Sequence, residues 1–135
     1  MSGTLSDREK KAIGDRETIL VIDDEMALRE TMRMFLGSDF RVLVAESVDE
    51  GLARMKENQP GLILLDLNMP EKDGFQGLRE IKPAYPDIPV LILTGYADRR
   101  MEESALELGA ETVLRKPFDL QEMLKVLKQH FVAAS

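Results

Sequence analysis

The run Ile19-Leu20-Val21-Ile22-Asp23-Asp24-Glu25 joins four consecutive branched apolar side chains to three carboxylates. An unbroken apolar run of this length, without alternation, suits a strand covered on both faces, as in the interior of a parallel sheet. A strand that stops in acidic residues also places them at its carboxyl end. Outward from here the pattern repeats. Leu62-Ile63-Leu64-Leu65 runs into Asp66, Ile88 to Leu93 runs into Thr94-Gly95, and the weaker Thr112-Val113-Leu114 leads to Lys116-Pro117. Phe40 to Ala45, centred on Val42-Leu43-Val44, is the second strand in chain order.

Helical periodicity fills the gaps. Leu28, Met32, Phe35 and Leu36 stand at i, i+4, i+7 and i+8, and Gly37-Ser38 end that helix. Ser47, with Glu50 three residues on, reads as a capping box for a helix carrying Leu52 and Met55, broken by Asn58-Gln59-Pro60-Gly61. After the turn-rich segment from Asn68 to Gly74, a short helix carries Phe75, Leu78 and Ile81 until Pro83 and Pro86 stop it. A more polar helix spans about Asp98 to Leu108, and Gly109 closes it. Asp119 caps a last helix with Leu120, Met123, Leu124, Leu127 and Phe131 on one face. Strands separated by helices of this length are parallel, with right-handed crossovers. The predicted fold is α/β: a doubly wound five-stranded parallel sheet with helices on both faces.

Residues 18–132 are expected to form this one domain. Residues 1–17 read differently, with four basic and four acidic residues and few apolar ones, and are expected to be a mobile tail, a partner-docking arm being the alternative. The 135 residues carry 18 Lys and Arg against 25 Asp and Glu, a formal charge of −7, which argues against nucleic acid and anionic membranes as partners. Without cysteine there is no disulfide, thiolate metal site or cysteine nucleophile. No apolar run approaches the about 18 residues of a membrane span, and the N-terminus lacks a signal-peptide pattern, so a cytoplasmic location is expected.

Ligands of doubly wound sheets bind at the carboxyl ends of the strands, near the switch in strand order. That rule singles out Asp23, Asp24, Asp66, Thr94, Gly95 and Lys116. Gathered carboxylates repel one another unless a cation or proton neutralises them. Hard divalent cations prefer oxygen ligands, and Mg²⁺ takes one or two carboxylates while keeping several waters. A carboxylate can also act as a nucleophile toward phosphorus, leaving a phosphoryl group whose charge a metal and a lysine offset. Thr94 can donate to such a group, and Gly95 exposes its N–H and keeps the site open. Singly, each of these is an ordinary cap or turn. Their joint occurrence, one after each of four strands in order, is what makes them a set.

In this order the markers resemble the receiver domain of two-component response regulators: Ile19 to Glu25, Leu64-Leu65-Asp66-Leu67-Asn68-Met69-Pro70 with Asp73-Gly74, Leu93-Thr94-Gly95, and Gly109-Ala110 followed by Lys116-Pro117-Phe118. The resemblance covers about residues 18–132. It implies that Asp66 accepts a phosphoryl group from the phosphohistidine of a sensor histidine kinase or phosphotransfer protein. Asp24 and Asp66 would hold Mg²⁺ directly, Asp23 directly or through water, and the Asn68 backbone carbonyl would be a further ligand. Lys116 would pair with the phosphoryl group, Thr94 would move toward it, and the bond to Pro117 would be cis. Asn68 and Tyr96 would influence the lifetime of the phosphate. One position departs from the pattern: Val113 stands where the family usually has a rotating Tyr or Phe. The resemblance implies a phosphoacceptor rather than an enzyme, with at most slow self-dephosphorylation. Its output would be a downstream protein target or an effector domain missing from this chain, with a dimer through the helix-four, strand-five, helix-five face left open. His130, the single histidine, is near the end of the last helix, so the phosphodonor is expected to be another protein.

Two other readings stand beside this one. A Mg²⁺-dependent phosphatase with an aspartate nucleophile favours a second aspartate two residues on, where this chain has Asn68. A flavin carrier on the same topology wants a Ser/Thr-rich phosphate loop, whereas Asp23-Asp24-Glu25 repels a phosphate.

Overall fold

The apolar runs form short strands and the periodic stretches form the helices between them. In the computed structural model, which describes residues 17–95, 98–117 and 119–134, the order is β1 (Thr18–Ile22), α1 (Met26–Leu36), β2 (Arg41–Ala45), α2 (Val48–Glu57), β3 (Leu62–Asp66), α3 (Gly74–Ala84), β4 (Val90–Thr94), α4 (Arg99–Glu107), β5 (Thr112–Arg115) and α5 (Leu120–Ala134). The predicted tail, apart from Glu17, lies outside the described residues, as do Tyr96 and Phe118. All four strand pairings are parallel, in the order β2-β1-β3-β4-β5. The order reverses between β1 and β3, which makes that junction the switch point.

Alternation along the central strands splits the core in two. Leu20, Ile22, Ile63 and Leu65 face one layer, closed by Val48 and Met55 of α2, Leu78 and Ile81 of α3 and Ala105 of α4. Ile19, Val21, Leu62 and Leu64 face the other, closed by Met32 and Leu36 of α1 and Met123 and Leu127 of α5. Both faces of β1, β3 and β4 are therefore dry, which is why those strands read as continuous apolar runs. Each fully buried aliphatic side chain contributes about 1.5–3 kcal/mol.

Small departures from the sequence reading have local causes. The fourth strand was expected from Ile88 but starts at Val90. Ile88 N–H turns back to Tyr85 O, and Pro89 has no N–H for the ladder, although its carbonyl accepts from Ile63 N–H at 3.0 Å. Pro83 was expected to stop the third helix but lies inside α3, one residue from its end. There it removes one bond where the helix is about to lose its bonds anyway, and Tyr85 N–H closes the last turn on Ile81 O. The capping box at α2 is half formed. Ser47 Oγ accepts from Glu50 N–H at 3.1 Å, while Glu50 reaches one residue further back, to Glu46 N–H at 3.5 Å.

Two glycines hold helices close to the sheet. A Cβ at Gly51 would lie 2.5 Å from Ile22 Cδ1, and one at Gly74 would lie 2.7 Å from Leu67 Cα and 2.9 Å from Asp66 O. At the end of α4, Gly109 takes φ +107°, which favours glycine.

Candidate functional site at the carboxyl edge of the sheet

Because β1 and β3 are neighbours, the residues that end them meet. Carboxylate oxygens of Asp23, Asp24 and Asp66 all lie within 4.8 Å of one another. Asp23 and Asp66 are buried and Asp24 is exposed, so the cluster has an inner wall and an open rim. Backbone amides orient the two inner carboxylates. Glu25 N–H donates to Asp23 Oδ1 at 2.8 Å, and Asn68 N–H donates to Asp66 Oδ1 at 3.2 Å.

Lys116 reaches in from the end of β5. Its Nζ lies 3.2 Å from Asp23 Oδ2, 3.5 Å from Asp66 Oδ1 and 3.7 Å from Glu25 Oε1. Its own N–H donates to Thr94 O at 2.7 Å, fastening the end of β5 to that of β4. The Lys116–Pro117 bond is cis. Thr94 is buried and its Oγ1 accepts from Asn68 Nδ2 at 3.1 Å. Gly95 is exposed, and among the described residues beyond its chain neighbours no atom lies within 4 Å of where a Cβ would stand. Val113 is half-buried, pairs with Ile92 across the sheet and packs on the layer beneath α2, α3 and α4.

One lysine does not balance these carboxylates. Burial, then the charge of Asp23, pushes Asp66 up to about 6, against the pull of Lys116 and the Asn68 amide. Asp23 is also raised, again by burial first, with the Glu25 amide and Lys116 acting the other way. Burial would lower Lys116, but Asp23 and Asp66 outweigh it and the ammonium is held more firmly than usual. Oxygen-only donors, two of them short of neutralisation, fit a hard divalent cation such as Mg²⁺.

Some contacts have no counterpart in the sequence reading. Arg29 Nη1 donates to Asp23 O at 2.8 Å and its other arm lies 4.0 Å from Glu46. A cation in the first turn of a helix opposes the helix dipole, and that misplacement was the available signal. Glu25 was read with the acidic run but given no part, and it is a third partner of Lys116. Lys72 joins Asp49 of α2 to Glu80 of α3 at 2.7 and 3.1 Å, bracing the loop after β3.

Fold and site together define a doubly wound α/β protein with an acidic, oxygen-only centre at the switch point of its sheet. The chain belongs to the response regulator receiver domain family, whose model matches residues 19–128. Among curated proteins it is 35% identical over 117 residues to the KDP operon transcriptional regulatory protein KdpE of Escherichia coli, covering 83% of this chain and 52% of KdpE. It is 36% identical over 107 residues to the response regulator MprA of a Mycobacterium species, covering 78% of this chain and 46% of MprA. It thus spans about half the length of these relatives. Among solved structures, the chemotaxis protein CheY4 of Vibrio cholerae matches with a TM-score of 0.80 at 26% identity, covering 84% of this chain and 98% of that one. A receiver domain protein from Clostridium thermocellum matches with 0.80 at 35% identity, covering 87% and 96%. Among the described residues, no helix is long and apolar enough to cross a membrane.

Proposed function

We propose that the chain is a phosphorylation-controlled signalling switch that accepts a phosphoryl group on Asp66. The observation that carries this reading is the Asp66 carboxylate at the end of the central strand, with Asp23 and Asp24 beside it and Lys116 Nζ 3.5 Å away. In the transfer, an Asp66 oxygen bonds to phosphorus while the P–N bond of a donor phosphohistidine breaks and the imidazole keeps the electron pair. Asp23, Asp24, Asp66 and the Asn68 carbonyl would hold Mg²⁺, which when bound offsets the negative charge of the phosphoryl oxygens. Lys116, already turned toward Asp66, supplies the protein's own positive charge to those oxygens. Thr94 and the Gly95 N–H are the donors nearest in the chain to the edge where the new oxygens stand. Asp66 starts the transfer as a carboxylate of raised pKa, and the product is an acyl phosphate, a mixed anhydride whose negative charge sits on the phosphoryl oxygens that Lys116 can pair.

The phosphoryl group, at about −1.5 to −2 where the carboxylate carried about −1, then draws Thr94 and Lys116 inward and biases the α4-β5-α5 face. Val113 has no ring to rotate, so propagation rests on other contacts. Arg115 is the register partner of Thr94 and forks onto Glu102 of α4 through Nε at 2.8 Å and Nη2 at 2.6 Å, which makes it the link from β5 to α4. The donor is a sensor histidine kinase or phosphotransfer protein acting in the cytoplasm. The output is a protein target or an attached effector domain. Tyr96, with Asn68, shapes water access and hence the lifetime of the phosphate. The chain is an acceptor rather than an enzyme.

Incubation with acetyl phosphate and Mg²⁺, followed by intact mass, tests this. Wild type is expected to gain one phosphoryl group, and Asp66→Asn none. Equal modification of the two, or none of either, overturns the reading.

A further inference from the structure

Asn68 makes a side-chain contact that phosphoryl transfer does not call on. Its Nδ2 donates to Thr94 Oγ1 at 3.1 Å, joining the loop after β3 to the last residue of β4. The backbone is anchored on both sides of this contact. Asn68 N–H donates to Asp66 Oδ1, Leu67 N–H to Leu93 O at 2.8 Å, and Lys116 N–H to Thr94 O at 2.7 Å. Thr94 is fully buried. With both backbones held, the contact is broken by side-chain rotation.

We infer that Asn68 is a positioning residue that latches the Thr94 hydroxyl in the unphosphorylated state, so that its carboxamide sets how readily the site takes up a phosphoryl group. The inference rests on reading Asp66 as the acceptor and Thr94 as a donor to the group it carries. Turning Thr94 Oγ1 toward a group on Asp66 gives up the Asn68 contact, and that loss is charged against every phosphorylation. Asn68 itself is exposed, so removing its amide leaves the core untouched. A neutral hydrogen bond of this kind corresponds to about fivefold in affinity, which is about 1 kcal/mol at 1.4 kcal/mol per tenfold.

The test is a double-mutant cycle of wild type, Asn68→Ala, Thr94→Ala and the pair, each titrated calorimetrically with beryllofluoride at saturating Mg²⁺. Thr94→Val, which keeps the side-chain shape, repeats the cycle should the buried alanine fail to fold. Asn68→Ala is expected to bind beryllofluoride about fivefold more tightly than wild type, and to give no such gain once the Thr94 hydroxyl is gone. Any direct contact of the amide with the ligand appears equally in both backgrounds and cancels. An Asn68→Ala effect of the same factor with and without the Thr94 hydroxyl overturns the latch while leaving the acceptor reading intact. Wild type that binds no beryllofluoride, like Asp66→Asn, overturns the acceptor reading itself.

Discussion

Asp66→Asn should make the metal-free protein more stable, although it removes the proposed phosphoacceptor. Burial and the charge of Asp23 push Asp66 from 3.8 up to about 6. A folded-state pKa above the unfolded one gives stability that is present in full below about 3.8 and is lost as pH rises through about 6. At about 1.4 kcal/mol per pH unit, the ionised carboxylate costs the fold about 3 kcal/mol at neutral pH. Asparagine keeps an acceptor for the Asn68 amide but turns an amide toward Lys116, which returns part of that gain. The expected net is about 2 kcal/mol, or about 5–8 °C in Tm for a domain of this size. Urea melts of wild type and Asp66→Asn in EDTA, near pH 7.5 and near pH 4, measure it. The gap should be widest near pH 7.5 and close near pH 4, where both side chains are neutral. Excess Mg²⁺ should narrow it near pH 7.5 by stabilising wild type. Equal midpoints near pH 7.5 without metal, or a gap as large near pH 4, would refute the reasoning.

Lys116→Met removes the cation that Asp23 and Asp66 share, and is expected to destabilise the metal-free protein by about 1–3 kcal/mol near pH 7.5 and by less near pH 4 in the same melts. Gly74→Ala drives a Cβ against the backbone of Leu67 and Asp66 and should cost about 1–3 kcal/mol. Gly95→Ala meets no atom among the described residues beyond its chain neighbours and should stay within about 0.5 kcal/mol of wild type. Asp73 Oδ1 caps α3 by accepting from Gln76 N–H at 2.9 Å, and Asp73→Ala should lower the urea midpoint by an amount worth about 1 kcal/mol.

The sheet was legible because β1, β3 and β4 are buried on both faces, and a doubly buried strand has no polar positions to confuse the reading. The acidic cluster was legible for a related reason: its members stand at the carboxyl ends of the first and third strands, and parallel topology brings those ends to one edge. Where the ladder depends on individual N–H groups, as at Pro89, the strand boundary moved. Pro83 deceived because the cost of a proline depends on how many helical bonds remain beyond it, which residue type does not tell. The contact of Asn68 with Thr94 was out of reach. The sequence puts both at the site but carries no sign that a side chain would span the gap between them. Arg29 was within reach, since a cation in the first turn of α1 points to a partner that offsets the helix dipole, here the Asp23 carbonyl and Glu46.

Asp66 belongs to β3, whose five residues are all buried and which is flanked by strands on both sides. Lys116 follows β5, an edge strand of four residues, three half-buried and one exposed, paired only with β4. Stiffness therefore falls from the middle of the sheet outward. A load placed on the rigid strand is not absorbed where it arises. It is passed along the ladder toward the edges, and on the Lys116 side it reaches β5, much as a beam clamped at its centre shows its deflection at the tip. In hydrogen exchange, the amides of β3 should be the slowest and those of β5 the first to report a change at Asp66.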